Sequence, residues 1–366
     1  MVIVSGVGIE KADEGENLRL TIQMIIPAQL DESKGGKAAG TQGPFFIRTF
    51  TGRTVSEAVE RFQSETGRNV LWSHTKVIIL AEELAQKGVF SALQYFERSA
   101  KFREKLVIFV AHGTTAKAIL EAGHEVEKLS ANAMELAVKM GRTRGTTPGI
   151  DFFQFITNLA DPSLSPVANG VKLLPPLTVS GGEKQQPRIN VSGTAVFKGD
   201  RMVGWLDPVE TRGLMWLQNK VSKGVLVVNS PVEAGKQVGL RITGSKSKIY
   251  PEISRDRLCF KVKVKVATSV ADQEYQGDLD NPAYLKKMEK ELAQTVSEEI
   301  MSVIEKLQDW RTDPVGFGRT VKLSYTGQWR ELRQGWQDKV FPATLVNVEV
   351  TANIKQTGTV FKSKMR

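Results

Sequence analysis

The sequence predicts a multi-domain protein of mixed α/β and α+β class, and three patterns in its 366 residues carry that expectation. In the first half, short β-rich runs alternate with helical stretches, which points to a layered domain with a sheet of mixed pairing. Near residue 260, LCFKVKVKVATSV alternates apolar and basic residues without interruption. Further on, DNPAYLKKMEKELAQTVSEEIMSVIEKLQDW repeats apolar residues every three or four positions, the period of an amphipathic helix. At one domain per ~150 residues the length accommodates roughly two or three.

The N-terminal elements follow in order. Val2 to Ile9 is apolar, KADEGEN turns the chain, and LRLTIQMII sets Leu18, Leu20, Ile22, Met24 and Ile26 on one side, so a β-hairpin is expected, ended by Pro27. DESKGGKAAGTQGP reads as a polar, glycine-rich loop, and FFIRTF resumes a strand. Thr54 and Glu57 form a capping box for a helix that turns Val55, Ala58, Val59 and Phe62 to one face. TKVIIL and KLVIFVA are short strands, with helical sequence through Phe90, Leu93, Tyr95 and Phe96 between them. A helical region from about residue 114 to 141 and a short amphipathic helix around DFFQFITNLA complete a mixed-sheet N-terminal domain.

Residues 173–187, LLPPLTVSGGEKQQP, are rich in proline, glycine and polar side chains and mark the best domain boundary. The expected division is an N-terminal α/β domain over 1–178, a small hairpin-helix segment over 179–222 and a C-terminal α+β domain over 223–366. In the middle segment, GTAVFKGDRMVGW is a hairpin bent at Lys198-Gly199-Asp200. Asp207 then caps a helix with Pro208 at its first position and Glu210 three residues after the cap. That helix is expected to turn Val209, Gly213 and Trp216 or Leu217 inward, with something packed close against Gly213. Trp205 and Trp216 read as anchors of a small core, with a partner-binding surface as the alternative.

In the C-terminal domain, Leu258, Phe260, Val262, Val264 and Val266 are expected on the buried face of a strand, with Lys261, Lys263 and Lys265 on the wet face. Asn281 caps the long helix, Pro282 takes its first position, and the stripe runs Leu285, Met288, Leu292, Val296, Ile300, Val303, Leu307, Trp310 over ~45 Å. A second stripe, Trp329, Leu332, Trp336 and Val340, ends at Pro342. LVNVEVTANI then alternates as a last strand, giving a mostly antiparallel sheet packed with the long helix.

Chemistry-bearing patterns are scarce. The three histidines, His74, His112 and His124, have no metal-ligand spacing among themselves, and Cys259 is the only cysteine. Phosphate-binding loops and nucleophile elbows do not occur, and GVG near residue 6 lies in strand sequence. SHTK (73–76) spells the S-x-x-K of penicillin-recognising enzymes, but Lys76 enters a strand, which puts it on the opposite face from Ser73. No enzyme activity, cofactor or metal site is expected. The formal net charge is +10, and from Lys236 to Lys265 nine basic residues face only Glu252 and Asp256. With Tyr250 and Phe260 as the only aromatics there, this is no stacking platform for nucleic acid. It suits a broad anionic neighbour such as phospholipid headgroups or an acidic protein loop, or simply a solvated strand face. No apolar run is long enough to span a bilayer, and MVIVSGVGIE opens in mid-strand, compatible with a cytosolic protein or with one whose export segment has been removed.

Three stretches together carry a resemblance: GTAVFKGDRMVGWLDPVETRGLMWL, DPVGFG (313–318) and VFPATLVNVEVTANIKQTG. With IVSGVGIEK and LTIQMIIPAQL at the N-terminus, the chain resembles the Ger(x)C family, the C subunits of the germinant receptors of bacterial endospores. The resemblance implies three α/β-type domains without a recognised active site. It also implies an export signal and a lipidated cysteine ahead of this stretch, for which Cys259 cannot stand in. The implied place is the outer face of the spore inner membrane, beside a membrane-embedded A subunit and a transporter-like B subunit that answer small nutrients. On this reading Lys261, Lys263 and Lys265 are the candidate membrane or partner surface, and Trp205, Asp207, Pro208 and Trp216 form a structural junction. The alternative is an extracytoplasmic protein that binds the germinant itself, which calls for a closed pocket.

Overall fold

The computed structural model describes the chain except residues 13–16, 26–44, 100–101, 103–104, 123–126, 128, 177–186, 255–256, 275–278, 280 and 356–366. The expected loop at 31–44, Pro27, His124 and most of the expected boundary at 173–187 therefore lie outside the described residues. Two compact units emerge. The first comprises Met1–Met140, Pro148–Asp161 and Pro166–Trp205, and the second Gly141–Thr147, Pro162–Ser165 and Leu206–Arg366.

The first unit begins with strands β1 (Val2–Lys11), β2 (Leu18–Ile25) and β3 (Phe45–Gly52), then helix α1 (Val55–Thr66). Next come β4 (Val70–Leu71), β5 (Val77–Ala81), α2 (Glu82–Lys87), α3 (Phe90–Arg98) and β6 (Val107–Ala111). The series closes with α4 (Ala116–Glu121), α5 (Ser130–Arg144), α6 (Phe152–Ala160), β7 (Val167–Leu174), β8 (Arg188–Lys198) and β9 (Arg201–Leu206). They form one nine-stranded sheet in the order β3-β2-β1-β5-β6-β7-β8-β9, with β4 beside β1. Strands β1, β5, β6 and β7 run parallel, while β2, β3 and β8 pair antiparallel to their neighbours, so the sheet is mixed as the alternation of elements predicts.

Its parallel centre is buried on both faces. Val77 and Ile79 with Val107 and Phe109 pack against Ile119, Leu120, Ala131 and Met134 of α4 and α5. Their neighbours Ile78, Leu80, Ile108 and Val110 point the other way and are equally buried. The GVG of β1 serves this packing. A Cβ on Gly6 would lie 2.9 Å from Leu120 Cδ2, and one on Gly8 would lie 3.0 Å from Ala116, so the glycines let α4 press onto the strand.

Two local expectations are corrected here. Strand β2 buries both faces, because α4 and α5 cover the side the sequence left to solvent: Thr21 and Gln23 are as buried as Leu20 and Ile22. Gln23 meets the cost through hydrogen bonds, donating to Leu120 O at 2.8 Å and Ser130 Oγ at 2.7 Å and accepting from Ser5 Oγ at 2.9 Å. At α1, Thr54 caps as expected, accepting from Glu57 N at 3.2 Å, and Val55, Ala58, Val59 and Phe62 are buried. The Glu57 carboxylate, however, accepts from Arg53 N at 2.8 Å rather than from the cap residue.

The second unit contains α7 (Pro208–Leu217), β10 (Val225–Asn229), β11 (Gln237–Ser254), β12 (Arg257–Gln273), α8 (Pro282–Asp309), α9 (Phe317–Ser324), α10 (Thr326–Leu332) and β13 (Leu345–Lys355). Its sheet has the order β10-β11-β12-β13; the first pairings are antiparallel, and α8 is the crossover that makes β13 parallel to β12. Asn281 caps α8 by accepting from Ala283 N at 2.9 Å, and Met288, Leu292, Val296, Ile300, Val303 and Leu307 are buried, as the stripe predicts. Glu289 of α8 accepts from Ile354 N of β13 at 3.0 Å. The mixed α+β class with a mostly antiparallel, helix-packed C-terminal sheet is thus the fold observed.

The second apolar stripe does not form one helix. The chain runs from α10 through a 3-10 turn (Arg333–Gly335), a π-helical turn (Trp336–Val340) and another 3-10 turn (Phe341–Ala343). The break falls at Gly335, and the widened turn carries Trp336 to a buried carboxylate described below.

Candidate functional site: a basic sheet face and two buried carboxylates

Strands β11 and β12 form a long hairpin whose strict alternation separates two environments. Phe260, Val262, Val264 and Val266 are buried on the inner face. Lys263 and Lys265 are exposed on the outer face, and the Lys261 side chain is 38% exposed, so the three predicted lysines share one surface. The register adds two that the sequence reading counted within the basic stretch 236–265 but did not place on this face. Lys246 stands opposite Lys265, Lys248 opposite Lys263, and Tyr250 opposite Lys261. Strand β11 lacks the clean apolar alternation of β12, which is why its lysines could be counted from the sequence but not assigned a face. The counter-charge comes from β13: Lys261 Nζ lies 3.2 Å from Glu349. The hydrogen bond and charge of Lys261, then Lys263, hold the Glu349 carboxyl below its usual range.

The four residues expected at a junction have definite local roles. In the first unit, Trp205 Nε1 donates to Glu82 at 2.7 Å, and its ring stacks on His112 with centroids 4.3 Å apart. In the second unit, Asp207 Oδ1 accepts from Val209 N at 2.7 Å and Glu210 N at 2.8 Å, Pro208 opens α7, and Glu210 returns the bond to Asp207 N at 2.8 Å. Trp216 is fully buried and donates to Glu299 Oε2 at 3.0 Å.

Glu299 is the residue that organises this helix pair. It sits on the buried face of α8, where it also accepts from Arg212 Nε at 2.9 Å and from Arg212 Nη2, so a carboxylate, a guanidinium and an indole close one network. Gly213 permits it: a Cβ there would fall 2.2 Å from Glu299 O, so α7 and α8 touch backbone to backbone. The close neighbour expected at Gly213 is α8. Val209, expected inward, is 49% exposed instead; the buried face of α7 is Thr211, Gly213, Leu214, Met215, Trp216 and Leu217.

A second carboxylate, Asp313, lies in the DPVGFG loop and is completely buried. It accepts from Gly316 N at 2.8 Å, Phe317 N at 3.1 Å, Gly318 N at 2.8 Å and Trp336 Nε1 at 3.0 Å, and so closes the N-terminus of α9 inside a cluster of Phe260, Phe317, Trp336 and Phe341. Burial pushes this carboxyl up, and the four N–H donors act against burial. Gly316, at φ 93°, supplies the left-handed turn that brings those N–H groups round. The Asp-Pro-x-Gly spacing was the only signal for this site in the sequence.

Both buried carboxylates are thus saturated by donors of their own unit and hold structure. Lys220, which follows α7, is a half-buried cation; desolvation first, then the charge of Arg142, lowers its pKa to about 8. Lys76 of the SHTK stretch precedes β5 and pairs with Glu135 at 3.1 Å, while Ser73 lies in a short 3-10 turn. Among the described residues, no group of three or more His, Cys, Asp or Glu is placed to hold a metal ion, and no helix is long and apolar enough to cross a membrane.

Comparison with known proteins gives this architecture a family. The profile described as "Spore germination protein N-terminal domain" matches residues 1–173, and "Spore germination B3/ GerAC like, C-terminal" matches residues 192–358. Spore germination protein KC of Bacillus subtilis is 25% identical over 368 residues, covering 98% of this chain and 90% of the relative. Spore germination protein B3 of the same organism is 24% identical, covering 98% and 91%. The crystal structure of the GerBC protein superposes with a TM-score of 0.58 over 95% of this chain and 96% of that one, at 21% identity, and shares the fold. The chain belongs to the Ger(x)C family of spore germination proteins, the C subunits of germinant receptors.

Proposed function

We propose that this chain is the non-catalytic C subunit of a spore germinant receptor, lipid-anchored on the outer face of the spore inner membrane and docked on the receptor's A and B subunits. The observation that carries the reading is the end-to-end likeness to spore germination proteins, with matched segments covering both units. The local chemistry is in keeping with it. Glu299, Asp313 and Arg212 are spent on holding helices in place. Trp205 in the first unit and Asp207, Pro208 and Trp216 in the second each hold local structure of their own unit on either side of residues 205–206, one of the points where the chain passes between the units. A protein built in this way serves as a rigid scaffold that makes contacts.

The test is to express the chain behind its own upstream sequence, with an affinity tag, in sporulating cells. Mass spectrometry of the tagged protein should find a diacylglycerol-modified cysteine ahead of this stretch, and purification from spore membranes should bring the A and B subunits with it. Recovery from the soluble fraction, without either subunit, would overturn the reading.

A further inference from the structure

The outer face of the β11–β12–β13 layer carries an arrangement that its own fold does not favour. Lys246 faces Lys265 and Lys248 faces Lys263 directly across the hairpin. Like charges in that position destabilise a sheet. Lys246, Lys248 and Lys265 have no carboxylate partner among the described residues, and Glu349 answers only Lys261 and Lys263. The lysines are solvent-exposed, because the inner-face residues from Phe260 to Val266 take the helical packing of the unit.

We infer that this face docks on an anionic phospholipid surface, through Lys246, Lys248, Lys261, Lys263 and Lys265 with Tyr250 among them. Three features favour a bilayer over an acidic protein. All five cations of the cluster are lysines. Protein interfaces enrich arginine, whose planar fork pairs carboxylates bidentately, and deplete lysine, whereas a diffuse negative surface attracts compact point charges on flexible stems. The ladder is two strands wide and three rungs long, roughly 5 Å by 14 Å, so one side of a sheet presents every ammonium together. Tyr250, 41% exposed at the end of the ladder, has the amphipathic ring that settles at headgroup level. The inference deepens the membrane-tethered reading and rests on it for the presence of a bilayer beside the protein.

The chain without an anchor is mixed with vesicles of phosphatidylglycerol and phosphatidylcholine, or of phosphatidylcholine alone, and sedimented. Binding is expected to the anionic vesicles only and to fall as salt rises. Changing Lys246, Lys248, Lys263 and Lys265 together to Gln is expected to lower partitioning ~10³-fold, and either cross-strand pair alone ~30-fold. The double variants also serve if the quadruple one does not fold. Melting temperatures should hold or rise as the facing charges vanish. Undiminished vesicle binding by folded variants, or no binding by the wild type, overturns the inference. So does wild-type capture by soluble polyglutamate with none by vesicles, which would assign the face to an acidic protein instead. Co-purification of A and B with the quadruple variant in spores keeps the two proposals separable: its persistence beside failed vesicle binding leaves the receptor reading standing.

Discussion

The nine-stranded and four-stranded sheets bury themselves in opposite ways. In the first unit the central strands are apolar on both sides, VIIL and VIFVA, and helices cover each face. Any polar side chain there must be satisfied from within, as Gln23 is by Ser5, Leu120 and Ser130. In the second unit the helices pack on one face, and β12 alternates valine with lysine. Water satisfies the outer side, so charges can gather there without internal partners and can even face one another. The closed sheet spends its polar residues on structure, while the open one leaves them available for contact.

That contrast can be broken at several points. The largest loss is expected at Glu299→Ala, which leaves the half-buried Arg212 guanidinium and the buried Trp216 N–H without their acceptor. Unfolding in urea should show a loss of about 3–5 kcal/mol. Lys220 should work in the other sense. Its folded-state pKa, about 8, lies below the ordinary lysine value, so the unfolded chain binds more protons between the two and stability rises with pH across that window. Below the window the burial penalty is present in full. Lys220→Met should therefore stabilise the protein by about 3 kcal/mol at neutral pH, and its advantage should disappear at high pH. A flat difference across the pH series would show that the lysine is solvated.

In the closed sheet, Gln23→Ala strips partners from Ser5, Ser130 and the Leu120 carbonyl and is expected to cost about 1–3 kcal/mol, read as a shift in urea midpoint. Lys246→Gln on the open sheet should have the smallest effect, a gain of about 0.2–1 kcal/mol from relieving Lys265, visible at low salt and fading as salt is added. A gain at Lys246 beside a loss at Gln23 would confirm the contrast. Equal losses at both would erase it.

Legibility followed the range of the interaction. The Asp207 cap, Pro208 and the α8 stripe were readable because caps and helical periodicity involve residues a few positions apart. The lysine face was read in part: β12 showed Lys261, Lys263 and Lys265, but Lys246 and Lys248 joined them only through hairpin register. The burial of Thr21 and Gln23 could not be read, because the helices that cover them follow about a hundred residues later. Nor could the break after α10, where five residues widen into a π turn and Trp336 bonds Asp313.

By itself, then, the sequence determined the class of the fold, the caps and stripes of its helices and the existence of a basic strand face, since each depends on local periodicity and on the chemistry of neighbouring side chains. Only the tertiary structure decided which carboxylates are buried, which helix presses against Gly213 and how five lysines line up. Those outcomes depend on which distant surface arrives to cover a residue, and local pattern carries no record of that.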